Sequence, residues 1–469
     1  MAEVGADEMN PQQHRYDAIV IGSGQGGSPL AQGMAAKGWK VALVERRHVG
    51  GTCINTGCTP TKTMVASAQV AHYARHAARW GVRTGAVSVD LARVVERKRS
   101  IVERFRAGKE ESLSETANLD LYRDHARFVD AHRVAVGDQV LGGERIFINT
   151  GTRPVVDGID GLATVPYLTN STLMELHELP EHLLVIGGGY IGLEFGQMFH
   201  RFGSRVTIVH RGRQLLARED TDVAEELRAI VEGEGLRVLL DAHTRTVERS
   251  PAGITLHVDI AGRQETLTGS HLLVAAGRRP NTDDLGLDRA GVTTDRNGFV
   301  KVNNRLETNV SGIWALGDVK GGPAFTHISY NDYQIIHANL FEGRVWTTDD
   351  RPVPYAVFTD PQLGRVGLTE REARARGGKL KVGKVPMSYV ARAIERDETA
   401  GFMKLVVDAE TDRILGAAIL GSEGGELVQM LGALMLAGAP YTVLKGAVFI
   451  HPTLAEGFYS LMDAVAPVG

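Results

Sequence analysis

The sequence predicts an α/β fold with two Rossmann-like units, in a chain whose 469 residues exceed what one core can organise. The prediction rests first on a strand, a glycine-rich turn, a helix and a second strand running from Asp17 to Glu45. It rests next on the return of the same order between Leu183 and His210. A third support is composition: 43% hydrophobic, 23% charged and 55 glycines describe an ordinary α/β protein.

In the first unit, Asp17 to Ile21 reads as a buried parallel strand entering Gly22-Ser23-Gly24-Gln25-Gly26-Gly27. An alanine-rich helix follows, then a strand from Lys40 to Val44 that ends on Glu45. Turns with three glycines are common, but the whole series in register is the dinucleotide fingerprint. Gly22 permits the tight turn, Gly24 lets a pyrophosphate approach the backbone, and Gly27 lets helix and strand pack closely. The helix N-terminus offers N–H groups to phosphate. Glu45 can accept hydrogen bonds from a ribose, which disfavours a 2′-phosphate there.

The second unit has Leu183 to Ile186, then Gly187-Gly188-Gly189-Tyr190-Ile191-Gly192, a helix, and a strand from Arg205 to Val209. Two such units imply two dinucleotides. Glu45 stands 23 residues after Gly22, and His210 stands 23 after Gly187. The ribose-binding acid is therefore missing from the second site, where His210, Arg211 and Arg213 occur instead. Arginine forks bind phosphate dianions, so NADPH is expected over NADH; the alternative is a solvated basic turn. Ile146 to Gly151 and Leu272 to Gly277 read as short buried strands closing on glycine near domain switches. Ile313 to Asp318 is a third, ending on an acid at a strand's C-terminal edge, where α/β ligands bind. Residues 347–352 read as a linker, followed by strands at Phe402 to Val407 and Ile414 to Leu420 and a helix near Leu427 to Leu436.

A net charge of −4 provides no basic field for nucleic acid or anionic lipid. The first sixteen residues are polar and acidic without an apolar signal core, and no run is long enough to span a membrane. A soluble cytoplasmic protein is expected. The two cysteines, Cys53 and Cys58, lie five positions apart. They are too few for a disulfide scaffold, and zinc would require more ligands, so no metal is expected.

The pair sits in Gly50-Gly51-Thr52-Cys53-Ile54-Asn55-Thr56-Gly57-Cys58-Thr59-Pro60-Thr61-Lys62, directly after the first unit's acid. A regular helix would hold two residues at this spacing too far apart for a disulfide, which requires Cα atoms roughly 4.4–6.8 Å apart. Gly57 and Pro60 allow a distorted first turn that brings the sulfurs together. A helix N-terminus also favours the thiolate that exchange demands. Coincidence is the alternative.

These residues make the chain resemble the class I pyridine nucleotide–disulfide oxidoreductases, the family of glutathione reductase, dihydrolipoamide dehydrogenase and mercuric reductase, over almost its whole length. GGTCINTGCTPTK looks like the family's redox disulfide, WALGDV like its second FAD motif, and VGLTE and HPTLAE like its dimerisation signatures. The resemblance implies an FAD-binding domain at 1–153 and 284–349, an NAD(P)H-binding domain at 154–283, and an α+β dimerisation domain at 350–469. It makes Cys53 the interchange thiol and Cys58 the thiolate facing the flavin. Lys62 would sit near the flavin N5, paired with Glu194, since a buried lysine is costly alone. Gly22, Gly24, Gly27, Glu45, Gly51, Thr52, Lys62, Thr150, Gly151 and Asp318 become FAD-site candidates. Gly187, Gly189, Tyr190, Gly192, Glu194, His210, Arg211 and Gly277 become NADPH-site candidates, Tyr190 matching the tyrosine that covers the nicotinamide pocket in glutathione reductase. His451, oriented by Glu456, would be the general acid/base reaching in from the other subunit, so a homodimer with shared active sites is implied. Without the resemblance, a satisfied interface histidine is the alternative for His451.

Departures from the subfamilies narrow the expectation. Mercuric reductases carry a further C-terminal cysteine pair and a tyrosine at the His451 position, and large thioredoxin reductases also need a C-terminal redox pair; this chain ends LMDAVAPVG. Dihydrolipoamide dehydrogenases keep the acid where His210 stands, and soluble transhydrogenases lose part of the cysteine pair. The wording looks most like the mercuric-reductase-like branch without its mercury cysteines, and like bacterial reductases of reactive chlorine or hypothiocyanous stress. An NADPH-preferring, FAD-containing reductase of a small disulfide or related oxidised-sulfur or thiophilic substrate is expected. Two rivals stay open: an NAD-linked dihydrolipoamide dehydrogenase, and a redox-sensing flavoprotein without metabolic turnover.

Overall fold

The structure, a computed structural model, describes residues 14–156, 158–349 and 351–468. Most of the polar N-terminal stretch read above, and Asp350 of the linker, lie outside them. The chain divides into two units, one formed by Met1–Pro60, Arg97–Pro154 and Arg278–Arg351, the other by Thr61–Glu96, Val155–Gly277 and Pro352–Gly469.

In the first unit the strand His14–Ile21 pairs in parallel with Val41–Val44 on one side and Gln139–Ile148 on the other. Leu119–Tyr122 extends the sheet beyond Val41–Val44, again in parallel. Ile313–Ala315 lies parallel to the far end of Gln139–Ile148, and the hairpin strands Arg133–Val136 and Ala126–Phe128 continue from it antiparallel. Both faces of the central strand are covered, which is why Ala18 to Val20 read as an unbroken apolar run. Ala18 and Val20 pack with Leu30, Ala31 and Met34 of the helix Gly27–Ala36; Ile19 and Ile21 pack on the other side with Phe128 and Ile146.

The run read as one strand from Ile313 to Asp318 is strand only to Ala315, then turns into a short 3₁₀ helix, Gly317–Lys320. Gly317 takes a φ of +73°, and its N–H donates to the fully buried Asp332 at 2.8 Å, which bends the chain out of the sheet.

The second unit holds a five-stranded parallel sheet in the order Arg237–Leu239, Arg205–Val209, His182–Ile186, His271–Val274, Tyr167–Leu168. A three-stranded antiparallel sheet, residues 242–269, follows Arg237–Leu239 in the chain. The C-terminal part is a six-stranded antiparallel sheet carrying the helices Gly424–Leu436 and Gly457–Asp463. Leu193, Phe195 and Phe199 share one core with Met64 and Ala68 and with Leu363, Phe402 and Leu420 of the C-terminal sheet. No helix of the described residues is long and apolar enough to cross a membrane.

Candidate active site

The cysteines occupy two separate helical segments. Gly50, at φ +91°, starts a five-residue helix, Gly51–Asn55, that contains Cys53. Thr56 then leaves helical geometry at φ −144°, and Cys58 opens the 19-residue helix Cys58–His76. A side chain at Gly57 would meet the Thr52 carbonyl oxygen at 2.8 Å, so the break requires glycine. Asn55 secures the short helix: its Nδ2 donates to the carbonyls of Val49 and Gly51, each at 2.9 Å, and its Oδ1 accepts from Arg106 Nε at 2.9 Å.

Cys53 is half-buried and Cys58 exposed. The Cys58 Sγ lies 3.4 Å from Thr326 Oγ1, and Thr326 is the first residue of another helix, Thr326–Phe341. Cys58 therefore sits at its own helix N-terminus and touches a second. Both present positive dipole ends to a thiolate. Thr326 is a residue that sequence reasoning missed, because it stands 268 positions away.

The first glycine turn has the shape a pyrophosphate requires. Gly22 adopts φ +102°, and a Cβ there would meet the Asn149 carbonyl at 2.4 Å; one on Gly27 would meet the Gly22 carbonyl at 2.0 Å. The Asn149 side chain, also unassigned from sequence, accepts from Gly27 N at 2.9 Å and donates to Leu316 O at 2.8 Å. Glu45 Oε2 accepts from Ser23 N and Oγ at 3.0 and 2.6 Å, which joins the acid to the turn. Gly51 and Thr52 lie in the short cysteine helix. Thr150 and Gly151 follow the strand Gln139–Ile148, and Thr150 Oγ1 donates to Asn281 O. Asp318 accepts from Thr152 Oγ1 at 3.1 Å; burial raises its carboxyl above the usual range, against the pull of Arg278. Two close-approach glycines, an acid joined to the turn and a second, sheltered acid are features that suit a dinucleotide.

In the second unit Gly187 and Gly192 repeat the tight turn, and Tyr190 opens the helix Tyr190–Phe202 with its ring partly exposed. Gly189 has open space where a Cβ would stand, and Gly277, at φ +138°, follows the strand His271–Val274. His210 folds back on the turn, its Nδ1 accepting from Gly188 N at 3.1 Å, and burial lowers its basicity. Arg211 and Arg213 point from an exposed stretch beside it.

Lys62, four residues along the helix from Cys58, pairs with Glu194 at 2.8 Å. Glu194 is 4% exposed, and its other oxygen accepts from Phe358 N at 2.9 Å, while Lys62 Nζ sits 4.5 Å from the Phe358 ring centre. The His451 Nδ1 lies 3.1 and 3.0 Å from the two Glu456 oxygens. The His451 side chain is 75% exposed, beside the exposed Val448 and Ile450, whereas Glu456 is mostly covered and also accepts from Thr453 N. A carboxylate on Nδ1 leaves Nε2 as the ring position that exchanges protons. No metal-binding cluster occurs among the described residues.

Residues 16–332 match the pyridine nucleotide-disulphide oxidoreductase family, and residues 353–462 match its dimerisation domain. The chain is 38% identical over 460 residues to the probable pyridine nucleotide-disulfide oxidoreductase RclA of Escherichia coli, covering 96% of this chain and all of that protein. A mercuric reductase of Lysinibacillus sphaericus is 36% identical, covering 95% of this chain and 82% of that one. A dihydrolipoyl dehydrogenase of Thermus scotoductus is 36% identical over 96% and 97%. The solved Cu(II) complex of the Escherichia coli HOCl-induced flavoprotein disulfide reductase RclA superposes with a TM-score of 0.88 at 38% identity, covering 96% of this chain and 99% of that chain. The family uses a flavin and a pyridine nucleotide and forms homodimers through its dimerisation domain. This chain belongs to the pyridine nucleotide–disulfide oxidoreductases and is a flavoenzyme of that family.

Proposed function

We propose that this flavoenzyme is an NADPH-preferring, FAD-dependent reductase of a small disulfide or related oxidised-sulfur or thiophilic substrate. The observation that carries the reading is the Cys53 and Cys58 arrangement, with one thiol at the junction of two helix N-termini and no other cysteine in the chain. Residues 1–153 and 284–349 form the FAD-binding domain in this reading, 154–283 the NADPH-binding domain and 350–469 the dimerisation domain.

The exchange chemistry follows from the thiols. The Cys53 thiolate attacks one substrate sulfur, and the other leaves as a thiolate that His451 of the partner subunit protonates. The Cys58 thiolate then attacks Cys53 Sγ, releasing the second substrate sulfur as a thiolate that takes its proton from solvent and closing the Cys53–Cys58 disulfide. Two electrons leave the protein dithiol and reside in the product thiols. Glu456 holds His451 in the tautomer this requires. Bound FAD supplies the hydride acceptor that carries electrons from NADPH back to the disulfide. Gly22, Gly24, Gly27, Glu45, Gly51, Thr52, Thr150, Gly151 and Asp318 would hold that group, with Lys62 and Glu194 beside its reactive ring. Gly187, Gly189, Tyr190, Gly192, Arg211 and Gly277 would receive NADPH.

The absence of an acid at His210 favours NADPH, and the likeness to an HOCl-induced relative favours substrates made when thiols meet reactive chlorine. With no second protein dithiol, Cys53 meets the substrate directly. The test is steady-state turnover with NADPH or NADH across disulfides, hypothiocyanite, quinones and Hg(II). NADPH-preferring turnover of a sulfur substrate, abolished by Cys53→Ser, is the expected result. A preference for NADH with dihydrolipoamide chemistry would overturn it, and reduction of the flavoenzyme without turnover on any substrate would point to the sensor instead.

A further inference from the structure

The stretch from His210 to Asp220, which carries Arg211 and Arg213, is held at both ends. At its start Gly188 N donates to His210 Nδ1, and Leu216 N donates back to Gly188 O at 3.1 Å. Leu216 itself adopts φ +46°, a left-handed backbone that a branched side chain takes only where its surroundings impose it. The constraint comes from both sides: the Gly188 carbonyl accepts its N–H, and its own carbonyl accepts from Glu219 N at 2.8 Å. Gln214, next to Arg213, donates to the Glu219 carbonyl at 3.1 Å.

Glu219 is therefore the post to which this stretch is tied, and it is fixed from another part of the same unit. Its carboxylate, 2% exposed, forms an ion pair at 2.9 Å with Arg365, a buried residue of the C-terminal strand Gln362–Gly367. Tyr355 donates to the other Glu219 oxygen. Arg365 is itself aimed by a 2.6 Å hydrogen bond to the Ala417 carbonyl. The neighbouring Asp220 accepts from the backbone N–H groups of Glu370 and Arg371 and pairs with the buried Lys404.

We propose that Glu219, Arg365 and Tyr355 are positioning residues for nucleotide discrimination: they hold Leu216 in its left-handed turn, and thereby Arg211 and Arg213 where a 2′-phosphate is bound. The proposal rests on the NADPH reading above. None of the three reaches the nucleotide; each acts through the loop. A guanidinium fork binds phosphate only in a narrow geometry, so a loop free to relax at Leu216 loses the phosphate and keeps the rest of the adenosine site.

The test is calorimetric titration of the holoenzyme at about pH 8, where Glu219 is ionised, with 2′,5′-ADP and with 5′-AMP, beside steady-state kinetics. Glu219→Gln keeps the volume and removes the charge pair; Tyr355→Phe is a milder second variant should Glu219→Gln not fold. The expected result is affinity for 2′,5′-ADP weakened about tenfold in Glu219→Gln and by less in Tyr355→Phe, with 5′-AMP binding within twofold of the parent. KM for NADPH rises in parallel while kcat at saturation stays within twofold, and Glu219→Asp recovers part of the affinity. Equal loss for both ligands, or a lowered melting temperature with neither affinity changed, would show a structural role and overturn the proposal. Arg211→Ala separates the two levels: if it leaves 2′,5′-ADP binding unchanged the NADPH reading falls and the positioning role with it. If it weakens binding while the Glu219 and Tyr355 variants do not, the positioning role alone falls.

Discussion

Replacing Thr326 by valine should make Cys58 a poorer thiolate. A thiolate can only accept, so at the 3.4 Å contact the Thr326 hydroxyl donates to Cys58 Sγ. Hydrogen bonds to charged groups contribute about 1.5–3 kcal/mol when sheltered. Cys58 is exposed, so the lower end applies, and about 1.4 kcal/mol corresponds to about one pH unit in the ionisation of the thiol. Valine keeps the size and removes the donor, while the N-terminal dipoles of both helices remain. The assay is the pH dependence of iodoacetamide alkylation, followed in the reduced protein with Cys53→Ser so that one thiol reports. The alkylation midpoint should rise by about one unit in Thr326→Val and return in Thr326→Ser. A midpoint unchanged within about two tenths of a unit would mean that the helix ends alone set the thiolate, and the hydrogen-bond argument would fail.

Three other outcomes follow from the same structure. Glu194→Leu removes the acceptor of both Lys62 and Phe358 N and should cost about 3 kcal/mol in denaturant unfolding, whereas Glu194→Gln should cost about 1 kcal/mol, because Lys62 is partly exposed and can rehydrate. Equal costs would refute this, since both variants remove the charge and only glutamine keeps an acceptor for Phe358 N. Glu456→Gln should lower turnover about tenfold without changing nucleotide binding, since His451 loses the carboxylate that fixes its tautomer; an unaltered pH–rate profile would refute this. Burial pushes Glu219 up to about 7, against the pull of Arg365, so the folded protein holds that proton where the unfolded chain has released it. Its contribution to stability is present below about pH 4.5 and is lost as pH rises through 7; comparing urea midpoints at acid and alkaline pH, Glu219→Gln should flatten this slope, and an unchanged slope would count against it.

Much of the fold was legible because it is written in short range. A strand, a glycine turn and a helix need only neighbouring residues to declare themselves, and both nucleotide units lie where the sequence puts them, with strand ends moved by a residue or a few. The strand expected to run to Asp318 stops at Ala315, because what bends the chain at Gly317 is a buried carboxylate fifteen residues on. The antiparallel strands Ala126–Phe128 and Arg133–Val136 were not foreseen, since short half-buried strands leave a weak alternation. Arg365 is 3% exposed, and nothing local to it in the sequence announces Glu219.

By itself the sequence determined the repeated Rossmann units, the lone cysteine pair in its glycine frame and the missing ribose acid at His210, each a matter of residue type at fixed spacing. Tertiary structure alone decided that the two cysteines occupy separate helices, that Thr326 meets Cys58, and that a buried ion pair from the C-terminal sheet reaches the loop bearing Arg211 and Arg213. Spacing along the chain reports geometry only within a turn or a strand. Partners more than a hundred residues apart are chosen by packing, and buried charges accept only the partner that packing delivers.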